Sequence, residues 1–188
     1  MGNTTDINYG PLTELIGVWK GDKGSDVAPD PDGTENNPYY ETITFTAIGD
    51  VTNAEEQELV SLHYRQIVCR KSDDKVFHDE TGYWMWDAKE NVIMHSLTIP
   101  RAVSLIAGGS HNGVKNTDGN FVLEVSAGID DENWKIIQSP FMQKKAKTIK
   151  FSHSITVGNG KLSYAETTDI EIYGNLFEHT DQNELLRQ

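Results

Sequence analysis

The 188-residue sequence predicts an all-β protein: a single antiparallel up-and-down β-barrel of about ten strands, preceded by a short N-terminal helical turn. Three observations predict it. Stretch after stretch alternates apolar and polar residues with a period of two. Turn signals, above all Gly158-Asn159-Gly160, separate these stretches closely enough for hairpins. Beyond the first turn, hardly any segment carries a helical period. Strands joined by short links form a meander, and a meander this long hides its edges by closing on itself. A β-sandwich of the same elements is the alternative. Barrels of roughly eight to ten strands enclose room for one small ligand.

In chain order, residues 1–10 are polar and read as a flexible N-terminus, with the barrel domain over 11–188. Residues 11–16 predict the helical turn: Pro11 suits its first position, and Leu12, Leu15 and Ile16 share a side. Residues 18–21 open the first strand. Residues 22–38, rich in Gly, Asp and Pro without periodicity, read as a long acidic loop. Residues 39–48 alternate cleanly, with Tyr39, Glu41, Ile43, Phe45 and Ala47 on one face. Strands follow at 59–70, 76–86, 91–99 and 102–107, then, after the Gly108-Gly109 break, at 121–127 and 134–141. Residues 149–157 and 162–173 make the last hairpin, and the tail from 176 departs from simple alternation.

Sixteen Lys+Arg against 29 Asp+Glu give a net charge of −13, which disfavours nucleic acid and anionic membranes. The densest basic run, Lys144-Lys145-Ala146-Lys147, reads as a solvated edge. No apolar run is long enough to span a bilayer, and the N-terminus has no basic or apolar leader pattern. The single Cys69 cannot form an internal disulfide and reads as a small buried hydrophobe. Together these predict a cytoplasmic protein. Phosphate loops, dinucleotide fingerprints, zinc-protease and nucleophile-elbow motifs are all missing.

The histidines carry more. His78 shares a strand face with Glu80, Gly82, Trp84 and Trp86. His95 aligns with Ile93, Leu97 and Ile99, and His153 with Ile149, Phe151, Ile155 and Val157. Each alone suits a hydrogen-bonded core histidine; together they suggest an apolar cavity with a few polar handles. His63 and His111 are unremarkable, and His179 lies in a terminal stretch whose spacing does not show it to be a ligand.

Several segments resemble the nitrobindins, the heme-binding β-barrel family once described as fatty-acid-binding-protein-like and lipocalin-like. Gly17-Val-Trp-Lys-Gly21 is similar to the family's G-x-W-x-G-x-G signature, and Tyr40-Glu41 to the opening of its second strand. His78-x-Glu80-x-Gly82-Tyr83 resembles its H-x-E-x-G-Y strand, and Gly160-Lys-Leu-Ser-Tyr164 its penultimate hairpin. Thr167-Thr168 and the stretch from His179 to Leu185 resemble its closing strands. The resemblance runs from about residue 11 to the C-terminus. It implies a ten-stranded barrel holding heme b at one open end, with His179 as the iron ligand; His78, His95 and His153, read from their strand faces, are the expected pocket residues, His95 and His153 at positions where the family has other polar or basic residues. It implies nitric-oxide binding, and, if the protein is an enzyme, heme-dependent peroxynitrite isomerisation. Here the third signature glycine is displaced: Lys23 takes its place and Gly24 follows one position late. The family's Y-P-T segment is replaced by Asp26-Val-Ala-Pro29.

Two further readings remain: a metal-free carrier of a hydrophobic or amphipathic molecule, and a non-heme metalloenzyme using His78, His95 and Glu80. The expected partner is a small-molecule ligand, with a homodimer left open.

Overall fold

The computed structural model describes residues 7–188. A 3-10 helix, Gly10–Leu15, leads into eleven strands. These are β1 (Gly17–Asp30), β2 (Gly33–Asn53), β3 (Gln57–Arg70), β4 (Val76–Asp87), β5 (Val92–Ile99) and β6 (Val103–Ser110). Then come β7 (Phe121–Gly128), β8 (Ile136–Gln138), β9 (Ala146–Gly158), β10 (Lys161–Ile172) and β11 (Asn175–Arg187). A short helix, α1 (Pro140–Lys145), lies between β8 and β9. All the strands but β8 close into one antiparallel barrel, with β5 on β6 and β11 beside β1. The meander and the closure are as the alternation predicts.

Local chemistry explains the links. Asn159 and Gly160, both at positive φ (54° and 72°), give β9–β10 the turn that matches strand twist. The weakest seam lies between β6 and β7, which share the single pairing Gly108↔Ser126. β8 covers the rest of that edge, from Val103↔Gln138 to Leu105↔Ile136. Gly108-Gly109 is therefore not a break but part of β6. A Cβ at Gly108 would stand 2.2 Å from the Trp134 ring, and one at Gly109 would stand 2.0 Å from the Glu124 carbonyl oxygen.

Several expectations are corrected. Residues 22–38 are no loop: β1 runs to Asp30 and β2 starts at Gly33, paired from Gly24↔Tyr39 to Asp30↔Gly33. β11 pairs with β1 only as far as Val27↔Thr180, and β3 meets β2 only from Tyr39↔Arg70, so the hairpin tip projects as a two-stranded ribbon. Pro29 is tolerated there because no third strand needs its missing N–H. The strand expected at 134–141 splits into β8 and α1; Ser139 accepts a hydrogen bond from the Met142 N–H and Pro140 starts the helix. Lys144 and Lys145 thus end a helix, while Lys147 lies in β9. The tail from 176 belongs to β11, the strand that closes the barrel. On β9, a bulge turns Thr148 rather than Ile149 inward. Of the expected flexible N-terminus, residues 1–6 lie outside the described residues, and Tyr9 is buried.

The 3-10 helix closes one end. Leu12, Leu15 and Trp19 are fully buried in one cluster with Trp84, Trp86 and Ile93. The indole donors are satisfied: Trp19 Nε1 donates to Leu15 O (2.6 Å) and Trp86 Nε1 to His111 O (3.0 Å). Among the described residues, no helix is long and apolar enough to cross a membrane.

Candidate functional site

The opposite half of the interior is polar, and a single backbone irregularity helps make it so. Gly21 pairs with Glu41 but Gly24 pairs with Tyr39, so β1 carries one extra residue there. The bulge shifts which side chains face inward. Gly24 takes the inward position, where a Cβ would stand 2.1 Å from the Tyr39 ring, and Asp26 follows it inside. The late glycine seen in the sequence is this bulge.

Register then sets a row of polar side chains across five neighbouring strands. Asn37 lies opposite Asp26, Asp26 opposite Asp181, Asp181 opposite Glu166, and Glu166 opposite His153. His179, one inward position further along β11, donates from Nε2 to Asp26 Oδ1 (2.6 Å) and lies 3.3 Å from Asp181 Oδ2. Asn37 Nδ2 donates to the other Asp26 oxygen (2.8 Å). Burial opposes ionisation of Asp26, but hydrogen bonds from His179 and Asn37 outweigh it and keep the carboxyl below its usual range. Burial also opposes the charged imidazole, yet the Asp26 hydrogen bond and the nearby carboxylates raise His179. Asp181 is pushed up to about 8, first by burial and then by the charges of Glu166 and Asp26, against the pull of His179.

Deeper in the interior stands a second network. Glu41 accepts from Tyr164 OH (2.9 Å), Asn183 Nδ2 (2.7 Å) and Gln66 Nε2 (2.6 Å). Burial still pushes its carboxyl up to about 6. A third chain runs His78–Glu80–Tyr64–His95. His78 Nε2 lies 3.3 Å from Glu80 Oε2, Tyr64 OH donates to Glu80 Oε1, and Tyr64 OH lies 2.7 Å from His95 Nε2. Because Tyr64 spends its proton on Glu80, His95 must donate from Nε2, leaving Nδ1 as a buried lone pair with no partner. Burial, then the neighbouring His153, holds His95 down to about 3. Burial would lower His78, but Glu80 raises it to about 9. Glu80 falls to about 2 despite its burial, chiefly through His78.

The four sequence-predicted histidines therefore occupy different places. His95 is fully buried, stacked on Trp84 (centroids 4.3 Å apart) and 5.5 Å from His153. His153 Nδ1 lies 3.2 Å from Glu166 Oε2 but outside hydrogen-bonding alignment, so neither of its buried ring nitrogens has a partner. His78 is half-buried on Glu80. His63 bonds Thr81 on the outer face, and His111 accepts from the Gly113 N–H near the closed end. His78, Glu80 and His95 do not converge as metal ligands, since Tyr64 stands between Glu80 and His95. The described group that does converge is Asp26, His179 and Asp181. Asp26 escaped the sequence reading because it fell in the supposed loop, and Asp181 because the tail was not read as a strand.

From this floor the barrel opens toward solvent. Tyr164 and Asn183 are buried, Glu166, Asp181 and His179 partly exposed, and Thr168, Ile170 and Phe177 beyond them half-buried. Arg70 and Phe77 stand at the same end, the guanidinium 5.2 Å over the ring, with Arg70 Nε buried and unpartnered. Heme needs an imidazole nitrogen, apolar walls and donors for its propionates. His179 Nδ1 has no hydrogen-bond partner among the described residues, Ile170 and Phe177 are apolar, and Arg70 Nε is a free buried donor. The residues present fit the group.

A closed up-and-down barrel with inward histidine and carboxylate side chains gathered toward one end has the architecture of ligand-holding β-barrels. The chain belongs to the THAP4-like, heme-binding β-barrel domain family, whose model matches residues 8–187. The crystal structure of Rv2717c from M. tuberculosis superimposes with a TM-score of 0.67 at 21% identity, covering 94% of each chain; at that identity it supports the fold. Comparison with curated proteins gives no match.

Proposed function

We propose that this barrel binds heme b at its open end through His179, in a cytoplasmic setting. The observation that supports it best is the His179–Asp26 pair. An inward imidazole whose Nε2 is fixed by a carboxylate keeps its other nitrogen available, the arrangement that orients metal-ligating histidines. When bound, heme would supply an iron centre for nitric-oxide binding or peroxynitrite isomerisation. The chain's own part is positioning and shielding. Asp26 and Asn37 hold the ring plane of His179, Ile170 and Phe177 furnish apolar walls, and Arg70 offers Nε to a propionate. His78, His95 and His153 are proposed as the polar lining beneath; His95 Nδ1 and both His153 nitrogens are the unpartnered groups there.

The test is hemin titration of the purified protein, followed at the Soret band. Stoichiometric binding is expected, weakened strongly in His179→Ala and several-fold in Arg70→Ala. Equal binding by wild type and His179→Ala would overturn the assignment.

A further inference from the structure

We propose that Asp26, His179 and Asp181 form a site for a divalent first-row transition-metal ion, and that this ion competes with heme for His179. The competition rests on the heme reading above; the metal site does not.

The three side chains each offer one ligand atom, and these atoms all lie within 4.8 Å of one another. Zn²⁺ or Co²⁺ takes nitrogen and carboxylate oxygen at about 2.0–2.2 Å, which sets ligands of a tetrahedron roughly 3.4 Å apart. His179 Nε2 already stands 3.3 Å from Asp181 Oδ2. Its 2.6 Å separation from Asp26 Oδ1 needs to open by less than an ångström as an ion replaces the shared proton.

The surroundings are built as a metal site's are. Asp26 is 3% exposed, and Asn37 anchors Oδ2 so that Oδ1 faces His179, an outer contact of the kind that orients ligating carboxylates. Glu166, directly opposite Asp181, sets another carboxylate beside the cluster. One nitrogen donor with two carboxylates favours zinc-like ions over magnesium or calcium, which prefer all-oxygen shells.

Titration of the heme-free protein with Co²⁺, followed by visible absorption, tests the site. Wild type should saturate at one equivalent with the bands of low-coordinate Co²⁺. Asp26→Asn and Asp181→Asn should each weaken binding by about 100-fold or more, beyond the roughly 10-fold expected for the outer contact in Asn37→Ala. Circular dichroism and the thermal midpoint check that each variant folds. No one-equivalent binding, or equal binding in wild type and both folded aspartate variants, overturns the site. In the second arm, Zn²⁺-loaded protein is titrated with hemin. A lower hemin affinity that EDTA restores supports competition, and an unchanged affinity overturns it. If hemin fails to bind with or without Zn²⁺, the heme reading and with it the competition fall, while the Co²⁺ result stands on its own.

Discussion

The two ends of this barrel are built by the same strands and filled by opposite chemistry. At the closed end, Leu12, Leu15, Trp19 and Trp84 exclude water almost entirely. At the open end, the same inward alternation presents Asp26, Glu166, His179 and Asp181. Burying apolar surface stabilises the fold, whereas burying carboxylates and imidazoles costs free energy that only mutual pairing offsets. The closed end therefore carries the stability, and the open end carries adjustable charge.

The sharpest way to break that contrast is to trim an aliphatic side chain at each end. Leu12→Ala should cost about 2–5 kcal/mol, lowering the thermal midpoint by roughly 10 °C for a domain of this size. Ile170→Ala, at a half-buried position, should cost about 1 kcal/mol or less. Equal losses in thermal denaturation would show that the open end is as much a core as the closed one.

A smaller effect is expected from pH. His78, raised to about 9, lends stability that is complete below its ordinary value near 6.5 and is lost as pH rises through 9. Glu41, raised to about 6, and Asp181, raised to about 8, also withdraw stability as pH rises through those values. His95, lowered to about 3, acts oppositely: its contribution is complete above about 6.5 and is lost as pH falls through 3. Glu80, lowered to about 2, adds to that acid-side loss below its ordinary value. Stability should peak near pH 4.5, where the acid-side gains of His95 and Glu80 give way to the losses from Glu41 and Asp181, and fall by a few degrees on either side. Denaturation midpoints across pH should show His78→Gln flattening the alkaline limb and His95→Phe the acid limb. A profile unmoved by either variant would mean these groups do not govern it.

The smallest effect belongs outside the barrel. Lys23 and Glu184 form a 2.7 Å ion pair with both side chains largely exposed. Such pairs are screened and entropically costly, so Lys23→Ala should leave the thermal midpoint where it was.

The same contrast governs how much could be read from the sequence. The apolar face of β2 and the His78–Trp86 face of β4 obey strict alternation, and both point inward as expected. Legibility failed where polar residues face inward, because Gly24, Asp26 and Asn37 look like loop residues unless the bulge and the pairing with β11 are known. β11 itself alternates, but its inward side is Phe177, His179, Asp181, Asn183 and Leu185, so hydrophobic patterning conceals it. His179 was found through family resemblance; its partners Asp26 and Asp181 are set by long-range register, which no local window contains.

The pairing of β1 with β11 has a consequence for folding kinetics. Asp26 and His179 are 153 residues apart in the chain, and their hydrogen bond forms only when β11 seats against β1. Bringing such distant segments together carries the loop-closure entropy that makes β topologies slow to fold. Shutting the barrel and assembling the site are therefore one event, and any ligand that requires both Asp26 and His179 reports, by its rate of uptake during refolding, the moment at which the sheet becomes continuous.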